Sequence, residues 1–175
     1  LNGDQEAGVT IIEIVPKLDA GPMLGKASLL VRSDETTGEL EQRLAELAIP
    51  LTLQVIDQIA DGTVNREVQD ESLATHVPKL SKEDGLIPWA KPAIEVERHI
   101  RGMQPWPGSF SQLHQTDKPP QRMQILSSVS VEVPSEKATA EPGTVIEVTR
   151  DDFAVQCGVG SLKILRVQPD GKRPM

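Results

Sequence analysis

The chain has 175 residues, of which 18 are basic and 26 acidic, so its formal net charge is −8. With 38% hydrophobic and 25% charged residues, it has the composition of a globular protein with one large or two small domains. No apolar run reaches the roughly 20 residues that span a bilayer, and no signal peptide is recognisable. A single cysteine, Cys157, excludes an intrachain disulfide, so we expect a cytoplasmic protein without a metal.

Charge is divided unevenly along the chain. Residues 1–85 contain 7 basic and 16 acidic residues, a net charge of −9, whereas residues 86–175 contain 11 and 10, a net charge of +1. Such an asymmetry predicts two domains with different partners. Because the chain starts with Leu1 rather than Met, we expect it to be part of a longer protein.

The first elements in chain order are two strands. Residues 9–15 are apolar and β-branched, which predicts a strand buried on both faces. A turn follows, with Gly21 and Pro22 as strand breakers, and residues 23–31 predict a second strand. Strands followed by helices are typical of the edge of an α/β sheet.

Helical signals come next. Thr36 and Glu39 have the spacing of a capping box, and the leucines after them recur at i, i+4 and i+7, the period of an amphipathic helix. Pro50 predicts a break into a second helix that ends near Gly62.

The rest of the chain predicts a linker, a helix and a small β domain. Residues 66–88 show no sustained period and predict the linker, and a helix follows Pro92. Five short β-rich segments separated by Pro, Gly and Asp then predict a small barrel or sandwich: residues 105–113, 121–133, 143–149, 152–160 and 161–169.

Few polar residues have a pattern that points to chemistry. Asp19 follows the first strand directly, where ligand sites of open α/β sheets lie, but an Asp that caps its own turn fits that position better. Cys157 and the three scattered histidines indicate structural or surface roles. Five basic residues would suit a phosphate-contacting track, although each alone is typical of a solvated surface: Lys79, Lys82, Arg98, Arg101 and Lys172.

Four stretches, in order and spacing, resemble methionyl-tRNA formyltransferases. They are 2–24 (with GVTII and LDAGPML), 44–89 (with KLSKEDGLIPW), 97–110 (with RGMQPWPGSF) and 142–175. This resemblance implies an α/β fold, with part of a Rossmann-like catalytic domain at 1–65, the linker at 66–88 and an all-β OB-like barrel at 89–175.

The resemblance also implies an activity and its residues. The family transfers a formyl group from 10-formyltetrahydrofolate to the amino group of methionyl initiator tRNA, and uses Asn, His and Asp. Asp19 matches the Asp, which reverses the preference for capping, and Pro16, Lys17 and Leu18 would border the folate. The cations of the predicted track would contact the tRNA. A monomer without metal or membrane attachment is expected.

This chain departs from the family pattern in ways that leave alternatives open. The family's Asn, His and SLLP motif precede the position of Leu1, Ala7 replaces a Thr, and the C-terminal tail is shorter, so the chain alone is not expected to turn over. Two alternatives are a related formyltransferase acting on a sugar nucleotide, or a 10-formyltetrahydrofolate hydrolase domain. A third is a non-enzymatic OB-like nucleic-acid-binding module.

Overall fold

The computed structural model describes residues 1–131 and 140–175. Packing divides the chain into two compact units, one made of Asp4–Lys79 and the other of Leu80–Met175 together with Leu1–Gly3. The chain passes between them inside the stretch 66–88 that the sequence predicts as a linker. No helix among the described residues is long and apolar enough to cross a bilayer.

The first unit contains a two-stranded antiparallel sheet. Strand β1 (Glu6–Ile12) pairs with β2 (Met23–Leu30), so both predicted strands are confirmed, with β1 starting and ending three residues early. The prediction that the first strand is buried on both faces is wrong, because its residues alternate between exposed and half-buried. A helix contacts the strand, but Glu6, Gly8 and Thr10 stay exposed, and Ile14, beyond the strand end, is 95% exposed.

Helix α1 (Thr37–Ala60) packs on this sheet. Its capping box is confirmed, since the Thr36 amide donates to Glu39 Oε2 at 2.8 Å and the Glu39 amide donates to Thr36 Oγ1 at 3.4 Å. The predicted break at Pro50 is wrong: the helix runs through it. Pro50 costs the helix one backbone hydrogen bond. This cost is offset because the continuous helix keeps Leu51 and Val55 buried on the same face.

Gly25 of β2 is what allows α1 to approach the sheet. A β-carbon at this position would lie 2.7 Å from Val55 Cγ2, which is a collision, and 3.2 Å from Leu51 Cδ1, which is a tight contact. The close contact between strand and helix therefore depends on a residue without a side chain.

The second unit packs one helix against a five-stranded antiparallel sheet. Helix α2 (Ala93–Gly102) is confirmed as predicted. The strands have the order β3-β4-β7-β6-β5 and match the five predicted β-rich segments in sequence. Their bounds are β3 (Ser109–Gln115), β4 (Lys118–Val131), β5 (Val145–Val148), β6 (Phe153–Gln156) and β7 (Ser161–Pro169). The end of the predicted segment 121–133 lies outside the described residues.

The core of this unit lies between α2 and the sheet. Val96 and Ile100 of α2 are fully buried, as are Leu162 and Ile164 of β7. Cys157 joins them at 1% exposure, and burial raises the pKa of its thiol to about 11. A thiol in this environment stays protonated at neutral pH and packs as a small hydrophobe, as predicted.

Candidate active-site loop and basic surface

The loop 13–22 connects β1 to β2 and includes Asp19. Asp19 is exposed and has a left-handed backbone, with φ of 51°, a conformation that Asp adopts more readily than most residues. No hydrogen bond or ion pair engages its carboxylate anywhere in 1–131 or 140–175. The carboxylate therefore does not cap its own turn and is available to a ligand or to a neighbouring group.

Two backbone features close the loop at its base. The Glu13 amide donates to the Pro22 carbonyl at 2.9 Å, so the loop begins and ends at one backbone hydrogen bond. Gly21 is buried beside it, and a β-carbon there would collide with the Glu13 carbonyl. Only glycine fits this close approach.

The predicted folate-binding residues lie on the same loop. Pro16, Lys17 and Leu18 are all exposed, and Leu18 is exposed by 88% despite its apolar side chain. Lys17 Nζ forms an ion pair with Glu71 at 2.7 Å. The structure thus brings Asp19 and the three predicted folate contacts together on one solvent-facing turn.

The basic residues predicted to contact tRNA differ in how far they are exposed and in whether a carboxylate lies nearby. Arg98 and Arg101 lie one turn apart on α2, and both are partly buried. Arg101 Nε lies 3.6 Å from Glu97 Oε1. Lys82 is exposed at the start of the 3₁₀ turn Glu83–Gly85, and Lys172 is exposed in the turn after β7. Lys79 is exposed at the end of the other unit.

A polar pocket in the second unit has no counterpart among the predicted sites. It has a volume of about 200 Å³ and lies where β4 and the end of β7 meet. Arg122, one of its walls, stacks 3.8 Å from the centroid of the Phe110 ring. The alternation of residues along a strand predicts that Arg122 and Gln124 share one face of β4. The pairing of β4 with β7, which brings the end of β7 beside them, is visible only in the structure. The lining residues are Pro107, Gly108, Arg122, Gln124, Gln168, Pro169, Asp170 and Gly171.

The environment of His99 in the second unit disfavours its protonated form. Burial lowers the pKa of this half-buried side chain below its ordinary 6.5, although a hydrogen bond to the Gly85 backbone and the charge of Asp84 oppose the shift. The folded unit therefore favours neutral His99. This position against the 3₁₀ turn is consistent with the surface or structural role that the sequence predicts for the histidines.

Across the residues that the structure describes, no three His, Cys, Asp or Glu side chains cluster as metal ligands would. The chemistry available to the described loop is that of a free carboxylate beside exposed backbone, which can accept hydrogen bonds and stabilise positive charge.

The chain belongs to the formyl transferase family. Residues 79–175 match the family model described as "Formyl transferase, C-terminal domain", and residues 1–56 match the model described as "Formyl transferase". The family that the sequence motifs indicate is therefore confirmed. Both units of the chain fall within it.

Several proteins named methionyl-tRNA formyltransferase are similar to this chain in sequence. Methionyl-tRNA formyltransferase of Methylococcus capsulatus is 39% identical over 175 residues, which is 100% of this chain and 54% of that protein. Methionyl-tRNA formyltransferase of Marinobacter nauticus is 40% identical over 171 residues, 98% of this chain and 52% of that protein. The chain thus spans about half the length of the curated relatives it matches.

Solved structures share the fold at low sequence identity. HypX from Aquifex aeolicus in complex with tetrahydrofolic acid superposes with a TM-score of 0.68 at 17% identity, over 99% of this chain and 29% of that one. The N-formyltransferase from Helicobacter canadensis, in complex with folinic acid and dTDP-3-aminofucose, gives 0.69 at 16% identity, over 94% and 57%. These likenesses support an α/β formyltransferase fold.

Proposed function

We propose that the protein containing this chain transfers a formyl group from 10-formyltetrahydrofolate to the amino group of methionyl initiator tRNA. The observation behind this choice is that proteins named methionyl-tRNA formyltransferase are similar to the chain over its whole length, at 37–40% identity. The sugar-nucleotide enzyme shares only the fold, at 16% identity. The similarity covers both units, which favours the enzyme over an isolated nucleic-acid-binding module.

The proposed reaction is an acyl transfer. The methionine nitrogen attacks the formyl carbon, a new C–N bond forms, and the attacking amine loses a proton. The bond from the formyl carbon to folate N10 then breaks, and N10 takes up a proton. Asp19 is the proposed catalytic residue: its free carboxylate would orient and stabilise the group that accepts the amine proton.

The remaining parts of the proposal follow from the loop and from the second unit. Pro16, Lys17 and Leu18 would border the folate, because they share the exposed turn of Asp19. The second unit would be an OB-like barrel that holds tRNA, in a monomeric cytoplasmic enzyme without metal. The described sheet of five antiparallel strands, together with helix α2, supports that architecture. Division into 1–65, 66–88 and 89–175 remains a prediction.

Formyl transfer is tested on this chain and on the whole protein, with methionyl initiator tRNA and 10-formyltetrahydrofolate. We expect activity in the whole protein only, and a loss of turnover in Asp19→Asn with the fold intact, since Asn also tolerates φ of 51°. Full activity of Asp19→Asn would refute its catalytic role. Activity towards an amino-sugar nucleotide but not tRNA would identify a different acceptor.

The tRNA surface has its own test. Lys82 and Lys172 are the best candidates in the second unit, because Arg101 has Glu97 nearby and Arg98 is partly buried. Lys82→Gln and Lys172→Gln should each weaken binding of initiator tRNA by the whole protein and reduce its salt slope by about 1. Lys163→Gln is the matched control, because Lys163 lies 3.3 Å from Asp152. Unchanged slopes in both variants would remove these residues from the surface.

A further inference from the structure

Residues 66–71, which we name the strap, run beside the Asp19 loop although the sequence predicts a linker there. The strap is tied to the base of the loop by a pair of backbone hydrogen bonds between Glu67 and Met23, at 2.8 and 2.9 Å. Arg66 Nε also lies 2.9 Å from Glu13 Oε2, at the start of the loop. The strap and the loop belong to the same compact unit.

Gln69, at the middle of the strap, bonds to the loop backbone on both sides of Ala20. Its Nε2 donates to the Asp19 carbonyl at 2.8 Å and to the Gly21 carbonyl at 2.7 Å. One amide group has two N–H donors, and here both are used on carbonyls two residues apart. This arrangement determines the orientation of the peptide groups that follow Asp19.

The ion pairs of the strap cannot hold the loop in this way. The side chains of the pairs Lys17–Glu71, Lys26–Glu67 and Arg66–Glu13 are each at least 45% exposed, and exposed pairs of this kind contribute little. They also act at the ends of flexible side chains. The Gln69 bonds act on the backbone itself, beside the residue whose φ is 51°. Asp adopts this conformation more readily than most residues but does not prefer it, so hydrogen bonds to the neighbouring carbonyls help to keep the backbone there.

We propose that Gln69 is a positioning residue, which holds the backbone of the loop so that the Asp19 carboxylate keeps the orientation needed for formyl transfer. This inference rests on the proposed catalytic role of Asp19. It assigns part of the predicted linker to the active site. The expected signature is a loss of turnover without a loss of tRNA binding, since Gln69 acts through Asp19.

Loop order is measured first, on this chain, by ¹⁵N relaxation. In the native chain, the amides of residues 19–21 should have order parameters of about 0.85, the value of a rigid backbone. In Gln69→Ala they should fall below about 0.6, the value of a flexible one. The matched control is Gln54→Ala, because Gln54 is exposed on α1 and should leave the loop unchanged. A loop that remains as rigid in Gln69→Ala as in the native chain overturns the proposal.

Turnover is then measured in the whole protein. Gln69→Ala should lower kcat about 10- to 100-fold, the scale of two lost hydrogen bonds, with KM for methionyl initiator tRNA within about 2-fold. Gln69→Glu should lower kcat at least as far, because a carboxylate accepts hydrogen bonds and cannot donate to the two carbonyls. Gln54→Ala should retain the native kcat.

Asp19→Asn distinguishes failure of this inference from failure of the proposed function. If Asp19→Asn keeps the native kcat, the catalytic role of Asp19 is refuted, and with it the purpose assigned to Gln69. If Asp19→Asn is inactive while Gln69→Ala keeps the native kcat, the positioning role alone is overturned. A Gln69→Ala variant that raises KM for methionyl initiator tRNA and leaves kcat unchanged likewise overturns it.

Discussion

Replacing Arg43 by Met removes the cation from a carboxylate that is almost wholly buried. The Glu35 side chain is 4% exposed and that of Arg43 is 24% exposed. Arg43 Nη1 donates to both Glu35 oxygens, at 2.8 and 2.6 Å, and the Arg32 amide donates to Oε1 at 2.6 Å. Arg43 Nη2 also reaches the Leu30 carbonyl at 3.2 Å. This pair therefore ties the end of β2 to α1.

The expected cost follows from these exposures. Breaking a buried ion pair by removing one partner costs about 3–5 kcal/mol. Because a quarter of Arg43 is in contact with water, solvent can partly replace it, and we expect Arg43→Met to lose about 2–4 kcal/mol of unfolding free energy. Removing both charges, as Glu35→Leu with Arg43→Met, should cost less than Arg43→Met alone, since no buried charge is left behind.

The pair should also make stability depend on pH. Burial alone would raise the pKa of Glu35, but the hydrogen bonds from Arg43 and from the Arg32 backbone outweigh it and hold the pKa below its ordinary 4.5. Because the pKa of Glu35 is lowered in the folded state, its ion pair contributes fully to the free energy of unfolding above about pH 4.5, and this contribution is lost as the pH falls further. Arg43→Met should flatten that dependence.

Urea unfolding, followed by far-UV circular dichroism, measures the effect. The first unit contains no aromatic residue, but α1 has 24 residues against 10 in α2, so ellipticity at the helix band follows the first unit. Fluorescence of Trp89 and Trp106 follows the second unit. If Arg43→Met shifts the ellipticity transition by less than about 0.5 kcal/mol, the value of an exposed pair, the inference from burial is wrong.

Three further predictions concern the second unit and the Asp19 loop. Because the fold favours the neutral imidazole of His99, we expect the second unit to lose stability as the pH falls below 6.5, and His99→Gln should remove this loss. Urea midpoints measured by tryptophan fluorescence at several pH values test this prediction. The control is His114→Gln, which changes an exposed histidine and should keep the native pH profile. Ile100→Ala should cost about 2–5 kcal/mol in the same assay because Ile100 is fully buried, whereas Ile94→Ala, at 45% exposure, should cost much less; similar costs would contradict the assigned core. Gly21→Ala should disorder the Asp19 loop through its collision with the Glu13 carbonyl, and native ¹⁵N spectra of that variant would show that the close approach is absent in solution.

Local signals in the sequence were sufficient for most elements. The capping box of α1 involves residues three apart, and α2 begins directly after Pro92, so neither depends on distant parts of the chain. The β-rich segments were likewise found in order, because turn residues separate them. Boundaries were less accurate, as β1 shows by ending at Ile12 rather than at residue 15, since strand ends depend on the pairing partner.

The sequence also pointed to the candidate loop, because the resemblance to formyltransferases includes Asp19 and its neighbours. It could not show that the Asp19 carboxylate has no partner among the described residues, or that Arg101 lies near Glu97. Burial on both faces of β1 was predicted wrongly because an apolar strand has the same composition whether one face or both are covered.

By itself, the sequence indicated the order of most helices and strands, the family that the chain resembles and the loop that includes the candidate acid. Only the tertiary structure decided that α1 continues through Pro50, because burial of Leu51 and Val55 is a property of the packed helix. It alone brought Gln69 to the loop, across 50 residues from Asp19. Local periodicity holds no information about such contacts, since they form only after the chain has folded back on itself.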